Sequence, residues 1–189
     1  MRALLLYLRS RQVPGGMLWG VPVMVAVAWL GTGHADPRRA VMAAALALTL
    51  GIAILGHGLA GADSTLDATA ALRWAPRRAL HLTAITVLAA VVVTAVTTAP
   101  AGAVLRDAAG ITGTAALAAA LFGRQLAWTL PVVTGCLSAG IPATPEPFAL
   151  YLLTWAGQPP GSPAAATVAV VLAVTGTAAY LILGPRRIS

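Results

Sequence analysis

Few side chains in this sequence are capable of chemistry, and the most suggestive group lies at residues 56–61. These residues read Gly-His-Gly-Leu-Ala-Gly and match the pattern G-x-G-x-x-G. In a dinucleotide site that loop follows a strand and opens a helix within a βαβ unit. Here a long apolar interval precedes it, so the glycines indicate a loosened helix end and close helix approach rather than nucleotide binding.

His57, within that group, is the most interesting ionisable residue. It has two interpretations: a proton relay or substrate contact, and a neutral imidazole bonded to a neighbouring carbonyl or to interfacial water. The second is favoured because the sequence places no acidic partner in a membrane core, where an unpaired charge is costly.

Absent residue types exclude several enzyme classes. All 12 basic residues are arginine. Without lysine the chain has no phosphate-binding loop of the type G-x-x-x-x-G-K-[ST] and no Schiff-base nucleophile. Its 3 histidines, single cysteine and 5 acidic residues are too dispersed for a recognisable metal site. We therefore expect no enzyme activity, no metal and no cofactor bound directly by this chain.

The composition is that of a membrane protein. The 189 residues are 59% hydrophobic and 9% charged, with a mean hydropathy of +0.86, whereas soluble domains carry about 25% charged residues. The net charge of +7 is distributed as small arginine clusters between apolar intervals. That pattern is typical of membrane flanks and predicts no nucleic-acid partner. Cys136 lies in an apolar interval, and we expect it to have a packing role.

The apolar intervals predict an all-α, polytopic membrane protein, since a spanning helix needs about 20 residues. Pro131 is expected to kink the fifth span. We predict that residues 1–189 form a single transmembrane domain. Its six predicted spans lie at about 17–32, 40–60, 80–98, 103–122, 126–141 and 164–183.

The arginines predict the orientation of these spans. With six spans, nine arginines fall on one side of the membrane and three on the other. The positive-inside rule then predicts that both termini are cytoplasmic, in a bacterial plasma membrane. The nine are Arg2, Arg9, Arg11, Arg73, Arg77, Arg78, Arg124, Arg186 and Arg187, and the three are Arg38, Arg39 and Arg106.

Two further segments are predicted to lie at the membrane surface. Residues 1–12 combine leucines with three arginines, as expected for an interfacial helix. The proline-rich segment 142–163 contains an apolar island that is too short to cross. It predicts a re-entrant or surface helix at the outer face, with Tyr151 and Trp155 at headgroup depth.

The segment 63–78, between the second and third predicted spans, predicts a short amphipathic helix. Ser64 or Thr65 can cap it, Asp67 suits its first turn, and Pro76 is expected to end it. From these features alone, the helix fits equally well as a lipid-facing surface or as a docking element for a soluble partner.

This arrangement resembles the membrane subunits of type-2 ABC exporters, particularly short actinobacterial permeases. The resemblance covers nearly the whole chain: the arginine-bearing start Met1-Arg2-Ala3-Leu4-Leu5, the element 66–72 continuing to Pro76-Arg77-Arg78, the outer segment before the last span, and the stretches 110–113, 122–124 and 127–131, which look like the short fourth and fifth spans of those permeases.

The resemblance implies alternating access powered by a separate ATPase subunit, with ATP and Mg²⁺ bound on that partner. It further implies a second permease chain, surrounding lipid, and a hydrophobic or amphipathic cargo such as a peptide, antibiotic or secondary metabolite. Coupling is assigned to Asp67, Arg73, Trp74, Arg77 and Arg78. A pathway or helix-packing role is assigned to His57, Thr86, Thr94 and Pro131. The pathway itself would be lined by hydroxylated residues, which are Thr86, Thr94, Thr112 and Thr114, or alternatively by spans one, two and five.

Two other functions stay open. Bland, alanine-rich spans also fit a scaffold or accessory membrane subunit that transports nothing itself. A small secondary transporter would need a midplane ionisable residue or broken helices in matching positions of two halves. For Pro131, the only counterpart in the sequence is Pro22 in the first span.

Overall fold

Seven α-helices form the framework of the part of the protein that is described. The computed structural model describes residues 13–33, 36–59, 74–141 and 146–186, and no strand occurs within these ranges. The helices are α1 (Val13–Leu30), α2 (Pro37–Leu55), α3 (Trp74–Val96), α4 (Ala101–Phe122), α5 (Thr129–Gly140), α6 (Phe148–Leu153) and α7 (Pro163–Leu183).

Four of these helices are long and apolar enough to cross a membrane. A 3-10 turn, Gly56–Leu59, extends α2 to give the apolar stretch Pro37–Leu59; the other three stretches are Ala75–Val96, Ala101–Phe122 and Pro163–Leu183. Two further apolar helices, Gly15–Leu30 and Thr129–Gly140, are shorter. The prediction of an all-helical protein is thus confirmed for the described residues, with four helices of spanning length; six crossings stay a prediction.

Helix starts follow local capping chemistry. The Asp36 side chain accepts a hydrogen bond from the backbone N–H of Arg38 at 2.9 Å, and Pro37 occupies the first position of α2. In the same way, the Ser162 hydroxyl accepts from the N–H of Ala165 at 3.2 Å. These side chains satisfy N–H groups that have no partner within the helix.

The core is built largely from alanine. Helices α2 and α4 are mostly buried, whereas only 28% of the apolar window of α3 and 17% of that of α7 are buried. Alanines such as Ala47, Ala89, Ala108 and Ala116 are fully buried, and large apolar side chains such as Ile182, 79% exposed, face outward. Lipid provides no hydrophobic force between helices, so small residues that permit close approach favour association in a membrane.

The backbones of α4 and α7 approach each other closely at two glycines. A Cβ atom added at Gly176 would lie 1.9 Å from the carbonyl oxygen of Gly113, and one added at Gly113 would lie 2.3 Å from the carbonyl oxygen of Leu172. Both positions therefore require glycine, because each added carbon would meet backbone rather than a movable side chain.

Contacts at one end of the bundle, which we call the Tyr180 end, join the finish of α2, α4 and α7 to the start of α3. The Tyr180 hydroxyl donates to the carbonyl of Leu59, Arg78 bonds to the carbonyl of Leu181, and the N–H of Arg186 bonds to the carbonyl of Ala119.

The opposite end, which we call the Arg106 end, holds the starts of α2, α4 and α7. The Arg106 side chain bonds to carbonyls just before α7, and Pro37 and Pro100 line one pocket with Pro159. Helices α2, α4 and α7 therefore run in the same direction, and α3 runs opposite to them.

Two expectations about prolines are wrong. Pro131 is the third residue of α5, and Pro76 is the third residue of α3. In the first turn of a helix the backbone N–H has no intrahelical partner, so proline there removes no hydrogen bond. Pro131 therefore does not lie in the middle of its helix as a source of a kink, and Pro76 lies at a helix start rather than a helix end.

Cys136 also lies elsewhere than expected, since its side chain is exposed on α5. It is therefore not part of the packed interior of this chain.

Substitution of Gly176 by alanine is expected to destabilise the bundle by about 3 kcal/mol, because α4 and α7 must separate to admit the new carbon. The measurement is the SDS concentration at the midpoint of unfolding, with unfolding monitored by circular dichroism. Gly102→Ala in α4 is the matched control, since an added Cβ there meets nothing within 4 Å. Equal midpoints for the two variants would contradict this packing.

Candidate functional site

The residues predicted to couple the chain to an ATPase are only partly within the described residues. Asp67 and Arg73 lie outside them, as do residues 1–12. Trp74 opens α3, and Arg77 and Arg78 follow in its first turns. The Arg77 side chain is exposed, whereas that of Arg78 is half-buried.

Arg78 is turned toward the carboxyl end of α7. Its guanidinium donates to the carbonyl of Leu181 at 3.4 Å and lies 5.8 Å from the centroid of the Tyr180 ring. A Cβ at Gly184 would approach this guanidinium to 2.7 Å, so Gly184 leaves room for it. A cation at a helix carboxyl end is favoured by the helix dipole, and the ring face adds a cation–π attraction. Arg78 thus secures α3 to α7.

Two further contacts complete the Tyr180 end. Tyr180 is fully buried, and its hydroxyl donates to the carbonyl of Leu59, the last described residue before residue 74. The Arg186 guanidinium donates to the carbonyl of Leu121 at 3.1 Å, near the end of α4. The segment 60–73 is therefore flanked by contacts to α7 on both sides. Leu59, before it, bonds to Tyr180. Arg78, four positions after Trp74, bonds to Leu181.

The predicted pathway residues are distributed over several elements. His57 is exposed, and its Nδ1 lies 3.1 Å from the Ala53 carbonyl oxygen, an arrangement in which Nδ1–H donates. Thr86 is half-buried and donates to its own helix, Thr94 is exposed on the same helix, and Pro131 is buried on α5. The His57 geometry matches the carbonyl-bonded interpretation.

Two hydroxyls on different helices are buried without a hydrogen-bond partner in the described part of the chain. They belong to Thr112 on α4 and Ser138 on α5. Thr114, by contrast, donates to the carbonyl of Ile111 at 2.8 Å within its own helix.

At the Arg106 end, Arg106 and Asp107 form a buried ion pair on α4. The Arg106 Nε atom lies 2.7 Å from an oxygen of Asp107, and only 8% and 2% of the two side chains are exposed. The same guanidinium donates to the carbonyls of Gln158 at 3.2 Å and Pro159 at 3.1 Å. Asp107 is thus a buried acidic residue in the second turn of a helix of spanning length.

The segment that Arg106 holds is itself tightly bonded. Gln158 is fully buried; its amide nitrogen donates to the carbonyl of Tyr151, and its amide oxygen accepts from the Ser162 hydroxyl at 2.6 Å. Short helix α6 is a surface element, with Phe148 66% exposed. The 3-10 turn Trp155–Gly157 behind it is buried.

Trp155 differs from the expectation of a residue that faces the headgroups. Its side chain is 2% exposed and packs between α4 and α7, where a Cβ at Gly110 would lie 2.3 Å from the ring. The missing side chain at Gly110 provides the room that this indole needs.

A pocket of about 350 Å³ opens beside this segment. Its walls come from the starts of α2 and α4 and from the turn before α7, and its Pro159 is held through its carbonyl by Arg106. The lining residues are Pro37, Arg38, Val41, Pro100, Gly157, Pro159 and Pro160.

Sequence reasoning did not assign a role to the Arg106–Asp107 pair or to this pocket. One signal was present: Arg106 and Asp107 are adjacent opposite charges within an apolar interval. The partners of Arg106 at residues 158 and 159 lie more than fifty positions away in the chain, so the contact itself could not be predicted from the local pattern.

Comparison with known proteins finds no matching family model, no matching curated protein and no matching solved structure. Among the residues described, no group of three or more histidine, cysteine, aspartate or glutamate side chains is placed to hold a metal ion.

Replacing Arg106 alone with leucine is expected to lower the free energy of unfolding by about 3–5 kcal/mol, because it leaves the Asp107 carboxylate buried without its partner. The double variant Arg106→Leu/Asp107→Leu is expected to recover part of that loss, since no buried charge remains although the bonds to the Gln158 and Pro159 carbonyls stay lost. Unfolding midpoints in SDS test both statements. A double variant less stable than Arg106→Leu would refute the assignment of the loss to an unpaired carboxylate.

Proposed function

We propose that this chain is the membrane-spanning permease subunit of an ABC exporter in a bacterial plasma membrane. In this proposal, α1–α5 and α7 all cross the bilayer and both termini are cytoplasmic. A separate soluble subunit binds ATP and Mg²⁺, and its hydrolysis drives alternating access. The chain itself has no lysine with which to build a phosphate-binding loop.

The observation that carries the proposal is the attachment of the segment 60–73. It joins α2 to α3 at the Tyr180 end, where Tyr180 bonds to Leu59 on one side and Arg78 bonds to Leu181 on the other. A force applied to this segment would therefore reach α2, α3 and α7 together. That is the mechanical requirement of a coupling element.

The positions of the arginines support a cytoplasmic location for the Tyr180 end. Arg77, Arg78, Arg124 and Arg186 belong to it by their places in the helices. Cytoplasmic flanks carry an excess of such residues. Of the proposed docking residues, Arg77 faces outward, whereas Arg78 is a contact within the bundle.

In this proposal the transport pathway lies between two copies of the chain, and close packing within each copy supports that arrangement. The glycine contact between α4 and α7 and the alanine core make the bundle a compact body, suited to rigid movement against a second permease chain. Exposed apolar side chains on α1, including Trp19 and Trp29, suit contact with lipid or with a hydrophobic or amphipathic cargo.

The same close packing favours one rival, a membrane scaffold or accessory subunit without transport of its own. The two functions differ in one measurement. Vesicles that contain the complete complex move an amphipathic cargo upon ATP addition only if the chain is a permease.

The triple variant Asp67→Asn/Arg73→Gln/Arg77→Gln is expected to reduce the amount of co-purifying ATPase at least tenfold, because charged groups at the docking element are lost. The measurement is purification of the tagged chain from native membranes in mild detergent, with quantification of a stoichiometric phosphate-loop subunit and of ATP hydrolysis. Arg78 is left intact, since its loss would loosen α7.

The matched control is Arg38→Gln/Arg39→Gln, which removes two exposed arginines at the opposite end and is expected to retain the ATPase. Undiminished ATPase in the triple variant would rule out docking through this segment.

Labelling of introduced cysteines tests the orientation. In a Cys136→Ser background, Gly161→Cys is expected to react with a membrane-impermeant maleimide in intact cells. Ala68→Cys is expected to react only in inverted vesicles. Gly161 is exposed, and an added Cβ there meets nothing within 4 Å. Reaction of both cysteines from the same side would contradict the proposed topology.

A further inference from the structure

We propose that the pocket at the Arg106 end binds a single-chain anionic amphiphile, with the apolar chain inside the pocket and the acidic head on Arg38. This assignment does not rest on transport or on an ATPase partner, since it concerns the end of the bundle opposite to the segment 60–73.

The walls suit an apolar chain. Four of the described lining residues are prolines, at positions 37, 100, 159 and 160, and proline has no backbone N–H to donate. Val41, 6% exposed, and Gly157 add further apolar surface. At about 350 Å³ the space lies at the small end of the range for small-molecule pockets.

The mouth carries one cation. Among the described residues that line the pocket, Arg38 is the only charged one, and its side chain is exposed. The Asp36 carboxylate nearby accepts from the Arg38 backbone N–H as the cap of α2, where its negative charge faces the positive end of the helix dipole. Arg38 therefore leaves a net positive charge at the pocket, which favours a carboxylate or phosphate head.

The pocket is preformed rather than assembled around a ligand. Arg106 fixes the carbonyls of Gln158 and Pro159 against α4. The Gln158 side chain is bonded on both sides, to Tyr151 and Ser162. These contacts hold the wall that contains Pro159 and Pro160 in place, and preorganisation of that kind lowers the ordering needed on binding.

A soluble polar ligand does not fit this chemistry, because the prolines offer it no N–H groups. A purely apolar ligand would leave the guanidinium of Arg38 without a role. An amphiphile uses both features. Its chain is removed from water by the proline walls, while its acidic head stays at the exposed mouth.

The test uses the full chain in nanodiscs of zwitterionic phosphatidylcholine, with a dodecanoate that carries a photoreactive diazirine on its chain. Cross-linked peptides are identified by mass spectrometry. We expect cross-links to concentrate on peptides that contain residues 37–41, 100 and 157–160. Arg38→Gln is expected to reduce them about tenfold, as for loss of a hydrogen bond to a charged group. Val41→Trp, which fills the pocket, is expected to abolish them.

Arg39→Gln is the matched control, since Arg39 is the adjacent exposed arginine but does not line the pocket; its cross-linking is expected to equal that of the unmodified chain. A dodecyl trimethylammonium probe with the same diazirine is expected to label the pocket weakly, although it enters the bilayer. Three results would each overturn the proposal: labelling no stronger than on the exposed faces of α3 and α7, equal loss in Arg38→Gln and Arg39→Gln, or equal labelling by the cationic probe.

Discussion

The close approach of two backbones at Gly113 and Gly176 is the constraint on which the rest of the bundle depends. Helices in lipid gain nothing from withdrawing apolar side chains from their solvent, so they associate through contacts that only small residues permit. The contact between α4 and α7 is the most extensive in the bundle. It creates the space beside Gly110 in which Trp155 is buried.

At both ends of the bundle, arginine side chains donate hydrogen bonds to backbone carbonyls. At the Tyr180 end Arg78 and Arg186 donate to carbonyls near the carboxyl ends of α7 and α4. At the Arg106 end one guanidinium joins a carboxylate to two carbonyls of the segment before α7. Arginine suits both places because its planar group offers several donors in fixed directions. The arginines thus connect elements as well as flank apolar intervals.

The two ends suit different roles because their chemistry differs. The Tyr180 end gathers helix carboxyl ends and arginines around the residues that flank the segment 60–73, where we propose that a soluble partner docks. The Arg106 end encloses an apolar pocket with proline walls and a single charged lining residue, Arg38, among the described residues. It suits a small amphiphile. A compact core between them would allow events at one end to move the bundle as a body.

The sequence alone determined the helical class, the places where apolar helices begin and end to within several residues, and the absence of a lysine-based phosphate loop, because these depend on local composition, capping and proline position. Only the tertiary structure decided that Trp155 is buried and that Arg106 secures a distant segment. Those outcomes depend on which helices meet, and the partners of Arg106, at residues 158 and 159, are more than fifty positions away along the chain. Periodicity reports which residues are apolar, but contact between helices decides which of them face protein and which face lipid.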